Sequence, residues 1–216
     1  MADRGHDHVH ASPVDEDSPH SYHQTLEVAV RELLIEKGVI DADEVRAAVE
    51  EMDARTPARG ARVVARAWTD PDFRARLLAD APAACRELDI DVSPAQLTVT
   101  ENTEDVHNVI VCTLCSCYPR PLLGLPPSWY KSASYRSRAV REPRAVLQEF
   151  GLDLPETVAV RVHDSTADLR YIVLPQRPEG TDTFSEDDLA ALVTRDCLIG
   201  VAVPRVTRTV AEPASP

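Results

Sequence analysis

Apolar residues recur at helical spacing from Leu26: Leu26, Val30, Leu33 and Leu34 make a stripe that stops at Gly38, a residue suited to the left-handed position after a helix. A second helix follows a clear start signal. Asp41 is placed to cap it, Glu44 sits where a capping box needs an acid, and Ile40 with Val45 can form a hydrophobic staple. ARVVARAW and FRARLLAD read as two more helical pieces, the second opened by Asp70 and Pro71. The chain is therefore helical to about Asp91, with no obvious chemistry, and its stripe is packing for its own core or for a partner.

Beyond position 94 the period shortens to two. QLTVTE, HNVIVC, TVAVRVH, LRYIVL and LIGVAV read as strands, with TVAVRVH and LRYIVL paired as a hairpin across DSTAD. Two helices interrupt them, one from Pro143 to Gly151 and one opening at Ser185. The expected fold class is α+β. The pattern divides the chain at residues 1–24, 25–93 and 94–216.

Composition changes this picture at the first segment. Residues 1–24 hold five of the seven histidines and few large apolar residues, so burial there does not offset ordering entropy and a disordered tail is expected. A net charge of −13 argues against a nucleic-acid backbone as partner. The basic cluster Arg136, Arg138, Arg141 and Arg144 reads first as a solvated face. No apolar run approaches the ~18 residues of a membrane span. The start MADRGHDHVH lacks the basic and apolar segments of a secretory signal, and five cysteines are an odd number, so the expected compartment is the cytoplasm.

The candidate chemistry lies in VCTLCSCYP, which places Cys112, Cys115 and Cys117 within six residues, before a proline-rich stretch. A helix would bring Cys112 and Cys115 to one face and send Cys117 away; a strand would oppose Cys112 to the other two. A tight loop closing on one metal would unite all three sulfurs and bring the amides of Ser116 and Cys117 close. Pattern alone leaves three readings open: a structural zinc site completed by a histidine such as His107, a redox or buried cysteine group, and a rarer metal loop. Cys85 and Cys197 fit no ligand position and read as buried small hydrophobes.

VCTLCSCYP resembles the claw of the nitrile hydratase α subunit, as do WTDPDFRARLLAD, LGLPPSWYKSASYRSRAVREPR, YIVLPQRPEGT and DCLIGVAVP, in order, over about residues 25–203. The resemblance implies a four-layer α/β/β/α core with an N-terminal helical arm. Residues 25–93 would then wrap a β subunit, and 94–216 form the metal-binding catalytic domain. It implies a trivalent, low-spin metal held by the sulfurs of Cys112, Cys115 and Cys117 and the deprotonated amides of Ser116 and Cys117. Cys112 would be axial, Cys115 a sulfinate and Cys117 a sulfenate, with Cys115, Ser116 and Cys117 carrying the hydration of nitriles to amides.

Thr113 and Tyr118 resemble the cobalt branch, which puts Co3+ ahead of iron and implies a cobalt-loading activator protein. Asp168 and Arg170 stand where relatives keep an acid and an arginine near the subunit interface. The resemblance implies that Tyr118 and Arg120 line the substrate channel, with Arg120 where many relatives carry Trp. The metal-bearing subunit of thiocyanate hydrolase shares the claw and is the alternative enzyme; a structural metal or electron-transfer module is the non-enzymatic one.

Overall fold

A computed structural model describes residues 22–115 and 117–206. The expected disordered tail thus lies, up to residue 21, outside the described residues. Contacts divide the chain into two compact units, Met1–Glu50 and Glu51–Pro216.

The first unit carries α1 (Tyr22–Glu36) and most of α2 (Ala42–Asp53). Gly38 takes the expected left-handed conformation, φ 64°, and its N–H donates to the Ile35 carbonyl. The cap of α2 is reciprocal: the Asp43 N–H donates to Asp41 Oδ1 at 2.7 Å, and the Asp41 N–H donates to Glu44 Oε2 at 3.1 Å. Neither helix buries any residue.

The second unit opens with α3 (Pro57–Thr69), α4 (Pro71–Ala79) and α5 (Ala81–Arg86), then β1 (Gln96–Glu101) and β2 (Val106–Val111). Asp70 caps α4 by accepting from the Phe73 N–H at 2.9 Å, and Asp80 caps α5 by accepting from Ala83. Four helices follow: α6 (Arg120–Leu123), α7 (Ser128–Lys131), α8 (Ala133–Arg141) and α9 (Pro143–Glu149). β3 (Ala159–Asp164), β4 (Leu169–Leu174), α10 (Glu186–Ala191) and α11 (Arg195–Ile199) complete the unit. The proline-rich stretch after the cysteines folds as short helices, with Pro121 in the first turn of α6 and Pro127 before α7.

The fold is α+β, with two parallel two-stranded sheets, β1–β4 and β2–β3. The hairpin expected of β3 and β4 does not form. Each pairs with a distant strand, Gln96 facing Leu169 and Val106 facing Ala159, and the Ser165 N–H still donates to the Val111 carbonyl, so the chain leaves β2 only after the turn has begun. LIGVAV is not a strand either: Thr194 caps α11, which contains Leu198 and Ile199, and Gly200 ends it in the left-handed region at φ 87°. A Cβ on Gly200 would land on the Asn108 carbonyl oxygen, so glycine lets this turn press against β2.

α4 and α5 lie on β1, α8 on β2 and α9 on β3, while β2 meets both β1 and β4. The order is helix, sheet, sheet, helix. β2 is buried from His107 to Val111, as a strand covered on both faces must be. One core runs from Phe73 and Leu77 through Val109 and Ile172 to Leu198, so α3 to α5 share it with the strands. The sequence boundary near residue 93 therefore falls within the second compact unit.

Candidate metal centre

β2 delivers the first cysteine. Cys112, 1% exposed, directly follows the buried run Val109 to Val111. The chain then turns outward, with Leu114 87% exposed, Cys115 exposed and Cys117 half-buried, before Tyr118 returns to the core. Cys112 Sγ lies 3.4 Å from Cys115 Sγ, which lies 3.2 Å from Cys117 Sγ. All three ligand atoms fall within 4.8 Å of one another, and among the described residues no other histidine, cysteine or acid joins them. Ser116 lies outside the described residues.

The loop is pinned from three sides. The β2–β3 register sets Asp164 beside Val111, and its carboxylate accepts from the Thr113 N–H at 2.9 Å and the Thr113 hydroxyl at 2.6 Å. Arg136 Nη1, on α8, donates to the Thr113 carbonyl at 3.3 Å, and α8 is tied to β2 by Tyr135, whose hydroxyl donates to the Ile110 carbonyl at 2.6 Å. Tyr130, on α7, donates its hydroxyl to the Cys117 carbonyl at 2.9 Å and packs edge-on against Tyr118. Burial keeps both tyrosines protonated by pushing their hydroxyl pKa values upward.

Asp164, Arg136 and Tyr130 are the residues that sequence reasoning did not find. Arg136 lay in the cluster read as a solvated face. Its neighbours answer differently: Arg138 pairs with Glu142 and Glu149, Arg141 bonds its own helix, and Arg144 holds the carbonyls of Leu154, Pro155 and Val158. Asp164 had a signal, an acid at the end of a strand, but its value depends on which strand β3 pairs with.

A cavity of about 700 Å3 adjoins the loop. Its wall includes Cys115, Cys117, Tyr118, Arg120, Asp168 and Arg170, so the structure gathers these six sequence candidates at one place. Arg170 arrives there through the β1–β4 register, opposite Leu97. His107 does not: it is buried at the far end of β2, with Nε2 2.7 Å from the Gly200 carbonyl and Nδ1 3.2 Å from the Asn102 side-chain amide. The zinc reading that used it as a fourth ligand fails, because both its ring nitrogens are engaged. Cys85 and Cys197 are buried and belong to the core, as expected.

The donor set suits a metal. Burial, and then hydrogen bonds from Cys115 and Cys112, push the Cys117 thiol up to about 12, while the Arg170 guanidinium pulls the other way. Contact with the other two sulfurs thus suppresses ionisation of Cys117, and a bound cation reverses that. Two buried polar atoms at the cavity, the Tyr118 hydroxyl oxygen and Arg170 Nη1, have no hydrogen-bond partner among the described residues. Among the described residues no helix is long and apolar enough to cross a membrane.

Three cysteine sulfurs closing on one point, at the end of a buried parallel strand in an α/β/β/α core, make a cluster that could hold a metal ion, the mark of a class of metal-binding proteins. The chain belongs to the family described as nitrile hydratase, alpha chain, which it matches over residues 21–202. It is 54% identical over 179 residues to the low-molecular weight cobalt-containing nitrile hydratase subunit alpha of Rhodococcus rhodochrous, covering 82% of this chain and 86% of that one. It is 48% identical over 199 residues to the thiocyanate hydrolase subunit gamma of Thiobacillus thioparus, covering 87% of this chain and 82% of the relative.

Among solved structures, a recombinant thiocyanate hydrolase with partially modified cobalt centres superposes with a TM-score of 0.81 at 45% identity, over 92% of this chain and 100% of the other. A double mutant of the Fe-type nitrile hydratase of Comamonas testosteroni Ni1 superposes with a TM-score of 0.81 at 42% identity, over 92% and 98%.

Proposed function

We propose that this chain is the metal-bearing α subunit of a nitrile hydratase, carrying one cobalt ion in the loop from Cys112 to Cys117 and working with a β subunit. The observation that carries this reading is the convergence of the Cys112, Cys115 and Cys117 sulfurs to within 4.8 Å beside an open cavity, in a chain of this family. The three sulfurs and the backbone amides of Ser116 and Cys117 would hold the ion. A trivalent cobalt ion there supplies Lewis acidity toward a nitrile nitrogen.

The reaction adds water across the C≡N bond, its oxygen to carbon and both protons to nitrogen. Cys115 and Cys117 line the cavity where the substrate arrives, and we assign them sulfinate and sulfenate states. Thr113, fixed to Asp164, keeps the loop closed while the backbone amides are engaged. Arg170 stabilises negative charge on Cys117 and, with Asp168, acts from the cavity wall next to the sulfurs. Tyr118 and Arg120 form the substrate channel beside them.

Two features support a β subunit. Leu26, Val30 and Leu33 of α1 are exposed, so the helical arm carries an apolar stripe that fits a partner chain. A site rich in anionic sulfur also needs more cations than this cavity supplies to it, and partner arginines at an interface would finish it. Cobalt insertion must displace the Cys117 thiol proton, whose pKa is pushed up to about 12, and a loading activator protein fits that step. Five free thiols suit the reducing cytoplasm.

The test is cobalt content, intact mass of the Cys112–Cys117 peptide and amide production, measured on the chain co-expressed with its β subunit. Cobalt near one per chain, two oxygens on Cys115 and one on Cys117 are expected, with conversion of a simple nitrile to its amide. Zinc in the site, unmodified cysteines and no amide would refute the reading.

A further inference from the structure

Cys112 differs from the other two loop cysteines in being sealed from solvent. It is 1% exposed, whereas Cys115 and Cys117 line the cavity, where water or a partner chain can supply hydrogen-bond donors. A thiolate at Cys112 must find its donors inside this chain, because burying an anion without them is costly. One donor is in place: the Cys115 N–H points to Cys112 Sγ at 3.4 Å.

A second stands unspent on the neighbouring strand. Val111 pairs with Asp164 in the β2–β3 register, so the next step along both chains sets Ser165 opposite Cys112, and the Ser165 N–H donates to the Val111 carbonyl at 2.7 Å. Paired strands lie about 4.8 Å apart, and side chains alternate between faces, so Asp164 turns outward to Thr113 while Ser165 turns in with Cys112. Ser165 is 2% exposed, and its hydroxyl oxygen is a buried atom with no hydrogen-bond partner among the described residues. Tyr130 marks the same spot. Burial is the main cause of its raised pKa; Tyr135 and Cys112 add to the rise and the Ser165 hydroxyl opposes it, so the phenol neighbours both Cys112 and Ser165. The Tyr130 hydroxyl itself is committed to the Cys117 carbonyl.

We propose that the Ser165 hydroxyl is a positioning donor to the Cys112 thiolate, drawing electron density from that sulfur and so raising the Lewis acidity of the ion it holds. The inference rests on the proposed cobalt site. An unpaired buried hydroxyl is costly, and a hydrogen bond to an ionised acceptor is about twice as strong as one to a neutral group, so the thiolate is the acceptor that Ser165 lacks. Hydrogen bonds to a ligating sulfur tune the electronics of its metal.

The experiment uses the cobalt-loaded complex with its β subunit. Once Cys115 and Cys117 are sulfinate and sulfenate, Cys112 is the one thiolate left in the loop, so the thiolate-to-cobalt charge-transfer absorption reports on it. Ser165→Ala should move that absorption to lower energy with cobalt still near one per chain, and should lower kcat about three- to tenfold with KM within about twofold. Ser165→Thr keeps the hydroxyl and should hold both the absorption and kcat near wild type. Tyr130→Phe removes the neighbouring hydroxyl, and Ser165→Ala made in that background should still shift the absorption.

An absorption unmoved by Ser165→Ala at full cobalt, an equal shift in Ser165→Thr, or a shift that vanishes in the Tyr130→Phe background overturns this inference and leaves the proposed function standing. Loss of cobalt from Ser165→Ala alone would mark a structural role and overturns it as well. Absence of cobalt and of amide production from the wild-type complex instead overturns the proposed function.

Discussion

The three loop cysteines differ from the other two in what surrounds them. Cys112, Cys115 and Cys117 meet sulfur on sulfur, whereas Cys85 is held as a neutral thiol by burial, its pKa pushed up to about 12. Alanine at any of the three should abolish cobalt binding and turnover, read by metal content and amide production. Cys85→Ala should keep the metal and cost only about 1 kcal/mol of stability through the small void it leaves. His107 makes a second residue-scale case. Its Nε2–H donates to the Gly200 carbonyl, so its Nδ1 is the acceptor for the Asn102 amide, and burial lowers its pKa from 6.5 against a weaker opposing effect of that Gly200 bond. A depressed folded pKa means that stability is full above about pH 6.5 and falls as pH drops from there toward the folded value. Urea midpoints at pH 7.5 and 5.5 should show this loss, and His107→Gln should lessen it. The cysteines were legible because their spacing is local. Asp164 was not, because only the β2–β3 register brings it to Thr113.

At the scale of elements, local signals worked wherever the stabilising contact is itself local. Asp70 before Pro71, Ser185 before α10 and Gly38 after α1 all mark the ends that the sequence suggests, since caps and left-handed turns involve residues a few positions apart. Strand pairing is a contact between distant segments, and there the hairpin expectation failed. Alternating patterns in β3 and β4 are equally compatible with pairing to each other or to β2 and β1. Gly200 joins the two kinds of constraint, for it ends α11 locally and touches Asn108 on β2. Gly200→Ala should therefore cost about 2–5 kcal/mol, adding left-handed strain to a clash with β2, and denaturant unfolding would measure it. A cost below about 1 kcal/mol, the range for a surface residue, would show that this turn is free to move away from the strand.

The whole molecule is built for company. α1 and α2 bury nothing, and the apolar stripe of α1 that defines its helix leaves Leu26 at 44% and Leu33 at 48% exposure. Replacing both leucines with Lys should leave the unfolding transition of the isolated chain within about 0.5 kcal/mol, because no core contact is lost. The same change should weaken association with the β subunit by about tenfold or more, since each leucine buried at an interface contributes about 1.5–3 kcal/mol. Analytical ultracentrifugation of wild-type and substituted complexes separates the two effects. Unchanged association would remove the stripe of α1 from the interface.

By itself the sequence determined the class of the fold, most helix ends and the cluster of three cysteines, because each is written in residues close together along the chain. Tertiary structure decided the rest. Pairing β2 with β3 brought Asp164 to the loop; pairing β1 with β4 brought Arg170 to the cavity; packing α8 on β2 turned Arg136 from a solvated charge into a clamp on the Thr113 carbonyl. Those partners are separated by dozens of positions, and a periodic pattern records only which face of an element is buried, never which other element will cover it.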